Sequence, residues 1–159
     1  MPMPADPTAD NIAHQAAAHV AVPADFALER LADPGFVGGW ALGSMNLSRL
    51  GDSPVYRGHS LFDGSEAFVE IDAHPALGLI DYRVGTQEAR SPRISIRIVP
   101  GGVVGLDEGR CLVVLMAWRV HATPADRWAR TCRAHEAEIL LLKGQLESAF
   151  RDSHSRAQP

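Results

Sequence analysis

The sequence predicts an α+β domain: a curved antiparallel sheet of about seven strands around a long C-terminal helix, with two short helices after the first strand. Three observations carry this. From Thr123 to Arg151 apolar residues recur at spacings of three, four and seven, with Gly144 the only glycine. From Ser44 to Val120 the apolar period changes to two, in six segments parted by short turns. Between Pro23 and Gly43 lie two short stretches with helical spacing and helix-stopping ends.

In chain order, residues 1–11 hold three prolines and read as a loose N-terminal arm. His14 to Val22 is a first strand weakened by alanines, and Ile12 to Val20 competes as a helix. Pro23 opens a helical piece with Phe26, Leu28 and Leu31 as its apolar positions, and Asp33-Pro34-Gly35 stops it. Phe36 to Leu42 is a second short piece. Ser44–Leu50 and Val55–Phe62 are strands, and Asp63-Gly64 is a two-residue hairpin signal. Glu66 to Ala73 places Ala67, Val69, Ile71 and Ala73 on one face. Leu79 to Val84 alternates in the same way. Arg93 to Val99 puts Ile94, Ile96 and Ile98 inward and Arg93, Ser95 and Arg97 outward. Gly101-Gly102 signals a bend, and Arg110 to Val120, apolar on both faces, is a central strand.

The last segment spans roughly 40 Å as a helix. Thr123 is its expected N-cap, with Pro124 at the first helical position and Asp126 in the first turn. Its stripe is Trp128, Cys132, Ile139, Leu142, Leu146 and Phe150, interrupted by His135. A one-sided sheet must cover its apolar face, and this is the only element long enough to do so. The domain therefore spans residues 12–151, with residues 152–159 as a C-terminal tail.

The chain has 159 residues, 46% hydrophobic and 21% charged, the make-up of one ordinary globular domain. A formal net charge of −4 argues against nucleic-acid binding. Arg127, Arg130 and Arg133 read as a solvated ridge. Cys111 and Cys132 form no CxxC pair and read as small core residues. The longest apolar run, Leu112 to Trp118, is too short to insert in a membrane as a helix. With no export signal visible, a cytoplasmic setting is the expectation.

The order of elements and several local patterns resemble a known family. They are Val20-Ala21-Val22-Pro23-Ala24 leading into Leu31-Ala32-Asp33-Pro34, then Trp40, the acidic-faced strand Phe68 to Asp72, Ile80-Asp81-Tyr82-Arg83-Val84, and the helix from Pro124. From His14 to Phe150 the chain resembles the START-like or Bet v 1-like (SRPBCC) superfamily, in its polyketide cyclase/dehydrase-like branch. The resemblance implies the helix-grip fold and a cavity between sheet and helix. Members commonly bind hydrophobic or aromatic small molecules, lipids or polyketides there. Some are cyclases or dehydratases and others only carry or sense a ligand. No universal catalytic signature exists, so the chemistry stays open.

His135 sits between Cys132, Ile139 and Leu142 on the helix stripe. It is either a ligand-facing imidazole that can move a proton or a core histidine bonded to a strand. Tyr82, Met116 and Trp118 share the expected inward parity of their strands and suit a pocket wall. Trp40 follows Gly38-Gly39 at the cavity rim, a gate if exposed and a plug if buried. Trp40, Tyr82, Met116, Trp118, His135, Ile139 and Leu142 are thus the expected ligand-binding set. No catalytic residue is assigned; in an enzyme, His135 and Tyr82 would be the acid–base groups. Glu66, Glu70 and Asp72 form a solvated acidic row with Arg57, Arg83, Arg97 and Arg119 as cross-strand partners. His135-Glu136 begins a zinc-helix motif that fails at Ile139, so no metal is expected. No phosphate loop or nucleophile elbow appears, and no cofactor is implied.

Three functions follow from this reading. The first is binding of a hydrophobic or aromatic, lipid- or polyketide-like molecule. The second is a cyclase/dehydratase-type enzyme. The third is a ligand-free interaction protein, signalled by Leu140 and Leu141, which lie off the stripe; a homodimer is compatible with all three.

Overall fold

A computed structural model describes residues 11–158. The arm expected over residues 1–11 lies, apart from Asn11, outside the described residues. Strand β1 (Ala13–Val20) opens the chain, followed by helices α1 (Ala24–Leu31) and α2 (Pro34–Val37). Six strands come next: β2 (Met45–Arg49), β3 (Tyr56–His59), β4 (Glu66–His74), β5 (Leu79–Gly85), β6 (Arg90–Pro100) and β7 (Cys111–Trp118). Helix α3 (Ala125–Ser155) closes the fold. The strands form one antiparallel sheet in the order β1-β7-β6-β5-β4-β3-β2, a meander with the first strand added beside the last.

The alanine-rich start is a strand because β7 offers it a continuous ladder. All eight residues of β1 pair with β7, with Ala16 opposite Leu115 and Ala18 opposite Val113. Tertiary pairing here overrides the helical preference of alanine. The Asp33-Pro34-Gly35 stop is also a start. The Asp33 carboxylate accepts the Gly35 N–H at 3.1 Å and caps α2, so the second helix begins at Pro34 and not at Phe36. The Asp63-Gly64 turn is wider than two residues. Residues 60–65 connect β3 to β4, with Ser60 N–H donating to Ser65 O at 2.8 Å and Gly64 at φ +72°. Gly101-Gly102 begins a 3₁₀ turn, Gly101–Val104.

The core lies between the inner sheet face and the helices. Val69, Ile80, Ile96, Ile98, Val113 and Leu115 meet Ile139, Leu142 and Leu146 of α3, with Leu31 and Val37 closing one end. Each fully buried Leu or Ile contributes about 1.5–3 kcal/mol by leaving water. Residues Cys111, Val113, Leu115 and Ala117 face inward on β7. This corrects the expected parity: Met116 and Trp118 are on the other face. Val113 and Leu115 are as apolar as Met116, so alternation alone could not choose. The register does choose, by setting Leu115 opposite the inward Ala16 and Ile96.

Helix α3 starts one residue later than expected. Pro124 is the N-cap, no side chain caps the end, and Trp128 N–H donates to Pro124 O at 3.0 Å. It continues past Arg151 to Ser155. The buried stripe is Trp128, Ala134, His135, Glu138, Ile139, Leu142 and Leu146. Cys132 is only half-buried, and Phe150 packs edge-on against Phe26 at 5.0 Å. Polar ties fix the helix along its length. Lys143 Nζ donates to His19 O at 2.7 Å, Ala21 N–H to Glu147 Oε1 at 3.0 Å, and Gln145 Nε2 to Gly39 O at 2.9 Å. On the outer sheet face Glu70 lies 3.7 Å from Arg83 and 3.0 Å from Arg90, and Glu66 lies 3.7 Å from Arg57. The exposed Arg57–Glu66 pair contributes little, whereas the Arg90–Glu70 pair is more enclosed. Arg119 is not in that row; its Nε donates to Thr123 O at 2.9 Å.

Candidate functional site

The sheet and the N-terminal half of α3 diverge enough to leave a cavity of about 200 Å³. Trp40 and Val37 form one wall, and Tyr82 and Val84 of β5 lie beside them. Ala134, His135 and Glu138 of α3 cover it. The volume is below the about 300–1,000 Å³ of pockets for drug-sized ligands, and fits a compound of one or two rings.

His135 and Glu138 stand one helical turn apart on the same face, so burying one buries the other. His135 is 3% exposed and Glu138 is 5% exposed. Glu138 Oε1 accepts the Leu42 N–H at 2.8 Å, and Glu138 Oε2 lies 3.9 Å from His135 Nε2. Burial pushes the Glu138 pKa up to about 7, against the opposing Leu42 hydrogen bond. Burial first, then the nearby His14 and Arg93, lower that of His135 to about 4. The imidazole is therefore neutral at pH 7, while the carboxyl is poised to hold or release a proton. The His14 ring lies 6.0 Å from that of His135, tilted by 31°, and His135 Nδ1 and His14 Nε2 are buried with no partner among the described residues.

Tyr82 is spoken for. Its hydroxyl donates to Leu31 O at 2.6 Å, satisfying a carbonyl at the C-terminus of α1. Burial raises its pKa far above the ordinary value, so it exchanges no proton near neutrality. Trp40 is 2% exposed and meets Tyr82 edge-on at 6.3 Å. It is a plug in the wall and not a gate.

The other side of the cavity is basic. Arg93 lines it, against the outward position expected from alternation. The reason is a register shift in β6. Tyr82 pairs with Ile94 and Arg83 with Pro92, leaving Arg93 as the extra residue of a bulge. Arg93 and Ile94 both line the cavity as a result. Arg127 and Arg130 of α3 reach it too. Arg130 lies over the Phe62 ring at 5.0 Å.

Of the expected ligand-binding residues, Trp40, Tyr82, Trp118 and His135 border the cavity. Trp118, exposed and of outward parity, does so only as the last residue of its strand. Ile139 and Leu142 are core residues behind the cavity, and Met116 belongs to the other sheet face. Glu138 and Arg93 were missed. Glu138 had one signal, its place between His135 and Ile139 on the stripe. Arg93 had another, the neighbouring Pro92, since proline within a strand marks a bulge or an edge.

Among the described residues no helix is long and apolar enough to cross a membrane. Nor do three or more His, Cys, Asp or Glu group as a metal site there. No protein-family model and no curated protein matches the chain. Solved structures do match. The protein XoxI from Bacillus cereus has a TM-score of 0.64 at 8% identity, over 85% of this chain and 95% of that one. The Zhui aromatase/cyclase from Streptomyces sp. R1128 has a TM-score of 0.60 at 21% identity, over 85% and 93%. The shared fold is the helix-grip: a curved antiparallel sheet around a long C-terminal helix. The di-domain aromatase/cyclase BexL, from the BE-7585A biosynthetic pathway, aligns at a TM-score of 0.62 and 16% identity, over 85% of this chain and 46% of that one. At such identities the likeness carries the helix-grip architecture alone, and what the cavity does rests on the side chains in it.

Proposed function

We propose that this helix-grip protein binds a hydrophobic or aromatic small molecule, lipid- or polyketide-like in character, between its sheet and α3. The observation that carries the reading is the cavity of about 200 Å³ walled by Trp40, Tyr82, Val84 and Ile94 and covered by α3. The aromatic and aliphatic side chains of that wall suit a flat apolar guest, with the polar groups gathered on the other side of the cavity. Aromatase/cyclases among the structural neighbours support it by analogy of fold. A cytoplasmic setting goes with this reading, since Cys111 and Cys132 are free thiols.

Native mass spectrometry of freshly purified protein tests it, together with titration of 2-acetylnaphthalene by calorimetry. The expected result is a bound small molecule or saturable uptake, weakened at least about tenfold by Ala134→Leu, which fills the cavity. No uptake and no bound mass would sink the proposal. The same spectrum reports subunit number, on which the exposed Leu140 and Leu141 bear.

One observation favours a second reading, an acid–base enzyme of the cyclase/dehydratase kind. Two titratable groups, His135 and Glu138, converge on the cavity with their pKa values pushed apart. In that enzyme Glu138 takes the place that Tyr82 was expected to hold, because the Tyr82 hydroxyl is engaged with Leu31. Turnover that is lost in Glu138→Gln and retained in Tyr82→Phe is its signature.

A further inference from the structure

We propose that the ligand of this cavity carries an anionic group, a carboxylate or phosphate, held between Arg93 of β6 and Arg127 of α3. This rests on the binding reading above and narrows it to amphipathic acids.

The two arginines that line the cavity come from different elements, one from the sheet bulge and one from the first turn of the helix. Among the described residues neither forms an ion pair within 4.0 Å. The carboxylates of that cavity are engaged elsewhere. Asp63 Oδ1 accepts both the N–H and the hydroxyl of Ser65, at 3.0 and 2.6 Å, and Glu66 lies 3.7 Å from Arg57. Glu138 accepts from Leu42. Arg130 is over Phe62, so it is not counted here. Burial, and after it the charge of Arg127, lower the Arg93 pKa. Two like charges that face one space, with one of them half-buried, are relieved by an anion between them. The planar guanidinium suits an oxyanion, which accepts two parallel hydrogen bonds from it. His135, the other base beside Arg93, is neutral at pH 7 and does not compete for the anion. An apolar body against Trp40 and Ile94, with its acid toward Arg93 and Arg127, satisfies both sides of the cavity at once.

The test compares near-isosteric probes in the full chain. Calorimetry measures 2-naphthoate, 2-acetylnaphthalene and 2-naphthyl phosphate against wild type, Arg93→Gln, Arg93→Lys and Arg127→Gln. The expected preference for an anionic probe over the ketone is about tenfold, the scale of one charge-assisted hydrogen bond. Arg93→Gln and Arg127→Gln remove it by weakening the anionic probes more than the ketone, while Arg93→Lys restores part. The stronger of the two anionic probes identifies the acid as carboxylate or phosphate. Arg127 is exposed, so Arg127→Gln carries the test if Arg93→Gln does not fold. Equal binding of ketone and acids, or a preference that survives both substitutions, overturns the proposal while leaving the cavity reading intact. Failure of all three probes to bind overturns both.

Discussion

Glu138 Oε2 lies 3.9 Å from His135 Nε2, and both side chains are almost wholly buried. Their proton affinities move in opposite senses, so their effects on stability oppose each other. Glu138, raised from 4.5 to about 7, keeps a proton that the unfolded chain loses. Its contribution is full below pH 4.5 and is lost as pH rises to about 7. His135, lowered from 6.5 to about 4, is the reverse, and its contribution is lost as pH falls from 6.5 to about 4. Each swing is on the order of 3 kcal/mol. Urea unfolding across pH 4–7.5 should show Glu138→Gln gaining on wild type as pH rises from 4.5 to 7. His135→Asn should lose on wild type from pH 4 to 6.5. Parallel curves for all three proteins would refute the opposed pair.

Tyr82 ties β5 to the end of α1 through Leu31 O at 2.6 Å. Tyr82→Phe keeps the ring and its edge-on contact with Trp40 but leaves a buried carbonyl unpaired. The expected cost is about 1–3 kcal/mol in urea unfolding. Binding of 2-acetylnaphthalene should stay within about twofold, since the hydroxyl already serves the fold. A neutral effect on stability with a large loss of binding would return Tyr82 to the ligand.

The order of elements was readable because it rests on period and punctuation, which are local. Ile94, Ile96 and Ile98 on β6, and Leu142 and Leu146 on α3, announce their buried faces by spacing alone. What was not readable depends on partners distant in sequence. The inward face of β7 is set by β1 and β6, because Val113, Leu115 and Met116 are all apolar. The entry of Arg93 into the cavity depends on one unpaired residue opposite Tyr82-Arg83, which no alternation pattern contains. Glu138 was hidden by its charge: a carboxyl on a buried stripe is stable only because burial favours its protonated form and Leu42 supplies a donor.

Gly144 interrupts α3 without a steric reason. A Cβ built there meets no atom within 4 Å, and its φ is not positive. Glycine in an exposed helix interior is about 0.5–1 kcal/mol worse than alanine. Gly144→Ala should raise stability by that amount and increase Tm by a few degrees, read by calorimetry. A lower Tm would mean that this turn of α3 needs glycine for a contact beyond this chain.

Gly58 is the opposite case and sets how close β2 and β3 must come. A Cβ there would stand 2.5 Å from Met45 O and 2.9 Å from Leu47 Cδ2. Gly58 is buried at a point where the register between the two strands shifts between Met45 and Ser48. The backbone oxygen cannot retreat without disturbing the pairing of Met45 with His59. Gly58→Ala should therefore cost about 1–3 kcal/mol, the range for overpacking a well-filled site. Because β2 is the sheet edge and follows the Trp40 segment, the strain should also appear as faster hydrogen exchange from Met45 to Arg49, with β6 and β7 unchanged. Stability equal to wild type, or faster exchange spread evenly over the sheet, would show that the edge gives way freely and that the close approach at Gly58 holds nothing in place.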